Sequence, residues 1–106
     1  MKKVWITGIH GFLGSHVSRC FANNGWLVAG VGRSKWLQEE YQQWGVSHHI
    51  ENTISYIGLS QLAEQTGNPD VIIHAAGSGT VGEAKENPLL AFKDDVLTTA
   101  ELIEYL

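Results

Sequence analysis

The stretch that most constrains this chain is Thr7-Gly8-Ile9-His10-Gly11-Phe12-Leu13-Gly14, three glycines at G-x-x-G-x-x-G spacing. Ahead of it, Lys3-Val4-Trp5-Ile6-Thr7 is a β-prone apolar run halted by glycine, which reads as a buried strand. Behind it, Leu13, Val17, Cys20 and Phe21 recur at i, i+4, i+7 and i+8, one face of a helix that Asn23-Asn24-Gly25 closes. In a strand–turn–helix unit, glycine is demanded at the tight turn, where backbone approaches a pyrophosphate, and where the helix packs on the strand. The helix N-terminus then offers free N–H groups to the anion. The arrangement therefore predicts a dinucleotide site.

The alternation continues along the chain. Trp26 to Val31 is a second buried run, and Ser34 is placed to cap a helix from Lys35 to Trp44. Val46 to Ile50 reads as a third strand and Ser60 to Gln65 as part of a helix. Asp70 to His74 reads as a fourth strand after the Asn68-Pro69 turn. Pro88, well placed at a first helical position, opens a helical pattern running to Leu106. Continuous apolar strands separated by helices predict an α/β fold with a doubly wound parallel sheet, about four strands covered by helices on both faces. At 106 residues there is room for one such domain, spanning residues 1–106. The final helix carries no stop signal, so the domain is expected to be truncated at its C-terminal end.

Composition excludes several classes of function. No stretch approaches the roughly 20 apolar residues of a membrane span. The opening apolar run breaks at Thr7-Gly8, too early for a signal peptide, so a cytoplasmic chain is expected. One cysteine, Cys20, makes no internal disulfide, and no Cys/His spacing suggests a metal. The net charge of −4 conceals an asymmetry: residues 1–35 hold five Lys/Arg and no acid, whereas the remainder holds two Lys and all eleven acids. Five cations so spread do not make a nucleic-acid groove; a small anion suits them better.

The loop spacing, together with His74-Ala75-Ala76-Gly77, Val81-Gly82-Glu83, Pro88-Leu89 and Asp95-Val96 with Thr99, resembles the extended short-chain dehydrogenase/reductases, the NAD(P)-dependent nucleotide-sugar epimerases and dehydratases. The resemblance implies the N-terminal part of a Rossmann-like domain. It implies that Gly8 and the backbone of Gly11, Phe12, Leu13 and Gly14 serve the pyrophosphate, and that Ala75, Ala76 and Gly77 line the nicotinamide ribose. It implies a nucleotide-sugar substrate and a homo-oligomer built through the helix from Pro88. The family's Tyr-x-x-x-Lys pair is absent, since Tyr41 and Tyr56 are followed four residues on by Gly45 and Ser60, so the chain alone is expected to be inactive. Three positions depart from the family pattern: Gly79 replaces a lysine, Asp95 replaces an asparagine, and the third strand ends in Glu51-Asn52 without the usual acid near the adenine.

Cofactor choice turns on the end of the second strand, where an acid would bind a ribose 2′-hydroxyl and repel a 2′-phosphate. That position is Gly32, followed by Arg33 and Ser34, a guanidinium and a hydroxyl suited to phosphate; NADP is favoured, with NAD second. Two other readings remain: a non-catalytic NADP(H)-binding sensor, and a small-carbonyl reductase of the same fold. Among the other polar residues, His10 is expected to face water and His74 to be a hydrogen-bonded structural histidine. His48 and His49, as strand neighbours, should point to opposite faces. Cys20 is expected to be a buried hydrophobe, Trp5 and Trp26 to pack at the core, and Trp36 and Trp44 to share a helix face.

Overall fold

The computed structural model describes residues 1–76 and 87–106. Four strands, β1 (Lys3–Thr7), β2 (Leu27–Gly32), β3 (His48–Glu51) and β4 (Val71–His74), form one parallel sheet in the order β3-β2-β1-β4. The helices are α1 (Phe12–Asn23), α2 (Gln38–Gln43), α3 (Tyr56–Thr66) and α4 (Pro88–Tyr105). Pro88 opens α4 at its first turn, as its missing N–H allows.

Strand alternation divides the core in two. Val4, Ile6 and Val28 face α1 and α2 and pack with Ile9, Trp36 and Val46, flanked by Val17, Phe21 and Tyr41. Trp5, Ala29 and Val31 face α3 and α4 and pack with Leu59, Leu62 and Leu102. Helices therefore cover both faces, and the sheet is the Rossmann-like doubly wound one expected. On the second face the Trp5 indole N–H donates to Thr66 Oγ1 at 3.0 Å, so the ring is buried without leaving its polar atom unpaired.

Several local expectations are corrected. Leu13 is 63% exposed and Cys20 is exposed as well, so neither belongs to the core stripe of α1. The buried residues are Gly14, Ser15 and Ser18, and Ser18 Oγ donates to the Gly14 carbonyl at 2.7 Å. Small residues let the helix backbone close on the sheet, so Val17 and Phe21 of the expected stripe pack at the edge of the first core while Leu13 and Cys20 are left outside. The helix after β2 begins at Gln38, with extended Leu37 as its cap, rather than after Ser34. Trp36 is the cause: its side chain is buried in the first core, and seating it requires an extended chain just before the helix. Trp36 and Trp44 consequently do not share a helix face; Trp36 meets His10, Tyr41 and His49, whereas Trp44 meets His16 and Arg19. The third strand starts at His48, two residues late, and α3 starts at Tyr56, where Ser55 Oγ accepts from the Gly58 N–H. Among the described residues no helix is long and apolar enough to cross a membrane.

Candidate functional site

The chain passes from β1 through α1 to β2 on one side, while β4 returns on the other side of β1. Sheet order thus reverses between β1 and β4, and a crevice opens beyond the C-terminal strand ends, where such sheets take ligands. A cleft of about 600 Å³ lies there. It is lined by Gly8, His10 and Gly11 after β1, Gly32, Arg33 and Ser34 after β2, Asn52, Thr53 and Ile54 after β3, Ala75 and Ala76 after β4, and Asp95 and Thr98 of α4.

Two glycines of the loop are fixed by packing. Gly8 has φ +63°, and a Cβ there would stand 2.8 Å from both N and Cα of Ala76. Any side chain would push the β1 and β4 exits apart. A Cβ on Gly14 would strike the Gly8 carbonyl and come within 2.8 Å of Ile9 Cα, so α1 can close on the loop only at a glycine. Gly11 acts differently. Its N–H is already spent on the Gly8 carbonyl at 3.0 Å, and it is exposed, leaving a bare backbone face toward the cleft. The first intrahelical bond of α1 runs from Ser15 N–H to the Gly11 carbonyl at 2.9 Å, and no side chain caps the helix. The N–H groups of Phe12, Leu13 and Gly14 therefore have no acceptor within α1, and they form the positive end of its dipole. An anion seated over Gly11 would lie at that positive end.

At the far end, Arg33 is exposed and makes no hydrogen bond or ion pair among the described residues, so its guanidinium is available to a ligand. Ser34, displaced from its expected role as a helix cap, lies beside it in the cleft wall. A Cβ on Gly32 would meet only His49 Nε2, at 3.8 Å, so the glycine leaves open space rather than filling a steric need. The Asn52 carboxamide is held on both sides: Oδ1 accepts from Thr53 N–H at 2.7 Å and Nδ2 donates to Gln61 Oε1 at 3.0 Å. His10 lines the cleft with its ring edge against Trp36, centroids 4.9 Å apart. His49 lies behind it among Trp36 and Tyr41, and its Nε2 is buried without a hydrogen-bond partner. Burial holds the His49 pKa below its ordinary value; nearby His10 adds to the shift and Glu51 partly opposes it. His48 and His49 do face opposite sides, since they pair in register with Ala29 and Gly30, which lie on opposite faces of β2.

Of the residues singled out from sequence, Gly8, Gly11, Arg33, Ser34, Ala75 and Ala76 come together in this cleft. Phe12 and Leu13 open the helix beside it, and Gly14 is buried at the start of α1. Gly77, like Gly79 and Val81-Gly82-Glu83, lies outside the described residues. Thr53, Ile54 and Thr98 were not foreseen. The rule that ligands sit beyond every C-terminal strand end would have pointed to the first two.

Fold and crevice define a doubly wound protein of the nucleotide-binding type. The model of the NAD dependent epimerase/dehydratase family matches residues 4–106, and the chain belongs to that family. It is 28% identical over 115 residues to a UDP-glucose 4-epimerase of Pisum sativum, an alignment covering 99% of this chain and 33% of that protein. Among solved structures, UDP-glucose 4-epimerase from Brucella ovis in complex with NAD superposes with a TM-score of 0.79 at 28% identity, over 99% of this chain and 32% of that one. The Bifidobacterium longum enzyme, in complex with NAD+ and UDP, superposes with a TM-score of 0.82 over 98% of this chain and 33% of that one, and at 23% identity it attests the fold alone. The chain thus spans about a third of the length of these relatives.

Proposed function

We propose that this chain is the dinucleotide-binding portion of a nucleotide-sugar epimerase or dehydratase, holding NAD(P) for hydride transfer with a sugar nucleotide. The observation that carries the reading is the uncapped start of α1, whose Phe12, Leu13 and Gly14 N–H groups stand beside the bare face of Gly11 at the switch point of the sheet. The pyrophosphate would lie there, with Ala75 and Ala76 leaving room for the nicotinamide ribose and the adenosine running toward Gly32 and Arg33. The cofactor would supply the hydride acceptor; the residues described here bind and orient it. The Brucella ovis relative, crystallised with NAD, supports a nicotinamide dinucleotide as the ligand class.

NADP is the preferred form in this reading. Gly32 offers no carboxylate to a 2′-hydroxyl, and Arg33, unpartnered among the described residues, stands next to it with Ser34. Titration calorimetry tests both claims. The chain should bind NADP more tightly than NAD, and Arg33→Ala should cost NADP about 1.5–3 kcal/mol, the worth of a hydrogen bond to a charged group, with little effect on NAD. Equal affinities, or an Arg33→Ala chain with undiminished NADP binding, would refute the NADP assignment; binding of neither dinucleotide would refute the cofactor reading itself. Copies are further proposed to associate through α4, whose Leu89, Phe92, Val96, Leu97 and Ile103 are exposed.

A further inference from the structure

His74, at the end of β4, joins three elements through hydrogen bonds whose direction is fixed once its ring is neutral. On α4, Thr99 Oγ1 lies 2.7 Å from the Asp95 carbonyl, to which only the hydroxyl can donate. Its proton being committed, Thr99 must accept from His74 Nε2 at 3.0 Å. In a neutral ring Nδ1 is then bare, and it accepts from Thr7 Oγ1, at the end of β1, at 2.6 Å. Thr7 Oγ1, buried at 1% exposure, in turn accepts from the Ala76 N–H at 3.2 Å. Every donor and acceptor in this chain is used once, and a single tautomer, Nε2–H, satisfies them all.

The chain ends in the cleft. Ala76 forms part of its wall, as does Asp95, whose carbonyl anchors the other end. Ala76 is also the residue packed against Gly8, where no Cβ fits. We infer that His74 is a positioning residue for the cofactor cleft: locked as the Nε2–H tautomer, it transmits the placement of Thr99 on α4 to the Ala76 backbone and so sets the spacing between helix wall and strand exits. This rests on the dinucleotide reading for its consequence but not for its geometry. A histidine that merely filled space would need neither a fixed tautomer nor a hydroxyl at position 99.

The test compares Thr99→Val, which keeps shape and removes the hydroxyl, with Thr99→Ser, which restores it. Residue 99 is exposed, so both variants keep the packing of α4 intact. In the 15N-labelled chain without ligand, the His74 ring should show a protonated Nε2 and bare Nδ1. The Ala76 amide resonance should move in Thr99→Val and return in Thr99→Ser. With NADP as probe, Thr99→Val should bind about three- to tenfold more weakly, the worth of one net hydrogen bond, and Thr99→Ser within about twofold of the parent. An Nδ1–H tautomer, an Ala76 amide indifferent to Thr99→Val, or a displaced amide with undiminished NADP affinity would each overturn the inference. A parent chain that binds no dinucleotide would instead overturn the reading of the cleft, and the ring and amide signals, which need no ligand, would decide the relay on their own.

Discussion

Gly32→Asp should shift the cofactor preference strongly toward NAD without disturbing the fold. Gly32 ends β2, its backbone is outside the left-handed region, and a Cβ there meets only His49 Nε2 at 3.8 Å, an ordinary contact. An aspartate can therefore be accommodated where the proposed function puts the adenosine ribose. Its carboxylate would accept from the NAD 2′-hydroxyl, a bond to a charged group worth about 1.5–3 kcal/mol, or roughly 12- to 150-fold in affinity. Against NADP it would place like charges near 5 Å, which costs about 1–3 kcal/mol between bulk water and an effective dielectric of 20. The two effects add in the ratio of affinities, so NAD should gain on NADP by at least about 50-fold. Calorimetry at pH 8, above the lowered His49 pKa, reads both affinities with the imidazole uncharged. A folded Gly32→Asp chain whose ratio of NAD to NADP affinity is unchanged, or that loses both cofactors equally, would refute the placement of the ribose at the end of β2.

Three further outcomes are expected. Gly14→Ala should destabilise the chain by about 1–3 kcal/mol, because its Cβ meets the backbone of Gly8 and Ile9 rather than a side chain that could yield; denaturant unfolding with an unchanged midpoint would contradict this. The folded chain protonates His49 less readily than the unfolded chain does. Stability is thus complete above the ordinary value of 6.5 and declines as pH falls through it toward the lowered folded value. His49→Phe should flatten the decline in melting temperature between pH 7.5 and 5.5 that the parent shows, by about 1 °C or more. Sedimentation should show association at high micromolar concentration, reduced by Phe92→Glu; a clean monomer would count against α4 as the contact.

The strands and the loop were legible in the sequence because each carries its own signal. Lys3–Thr7 and Val71–His74 are continuous apolar runs ending at turns, and at Gly8 and Gly14 the close backbone approach leaves no room for a side chain. What escaped is what depends on distant partners. The face of α1 was legible only in part: Val17 and Phe21 do pack against the first core, but its closest approach is made by Gly14 and Ser18, which carry no hydrophobic signal, and Leu13 and Cys20 stay outside. The late start of α2 depends on where Trp36 finds its pocket among His10, Tyr41 and His49, and nothing near it in sequence reports that. Thr98 lines the cleft from α4, far in sequence from the strand ends beside it, and the His74 relay joins Thr7 to Thr99 across 92 positions, 67 to the histidine and 25 beyond it.

The central claim is that the start of α1 is an anion seat for a dinucleotide pyrophosphate, and titrating the 15N-labelled chain with NADP while following its amides tests it most directly. The N–H signals of Phe12, Leu13 and Gly14 should shift together and saturate, with Ala76 moving as the ribose fills the cleft. Saturable binding that leaves those three amides unmoved, or shifts confined to the opposite end of the strands, would contradict it.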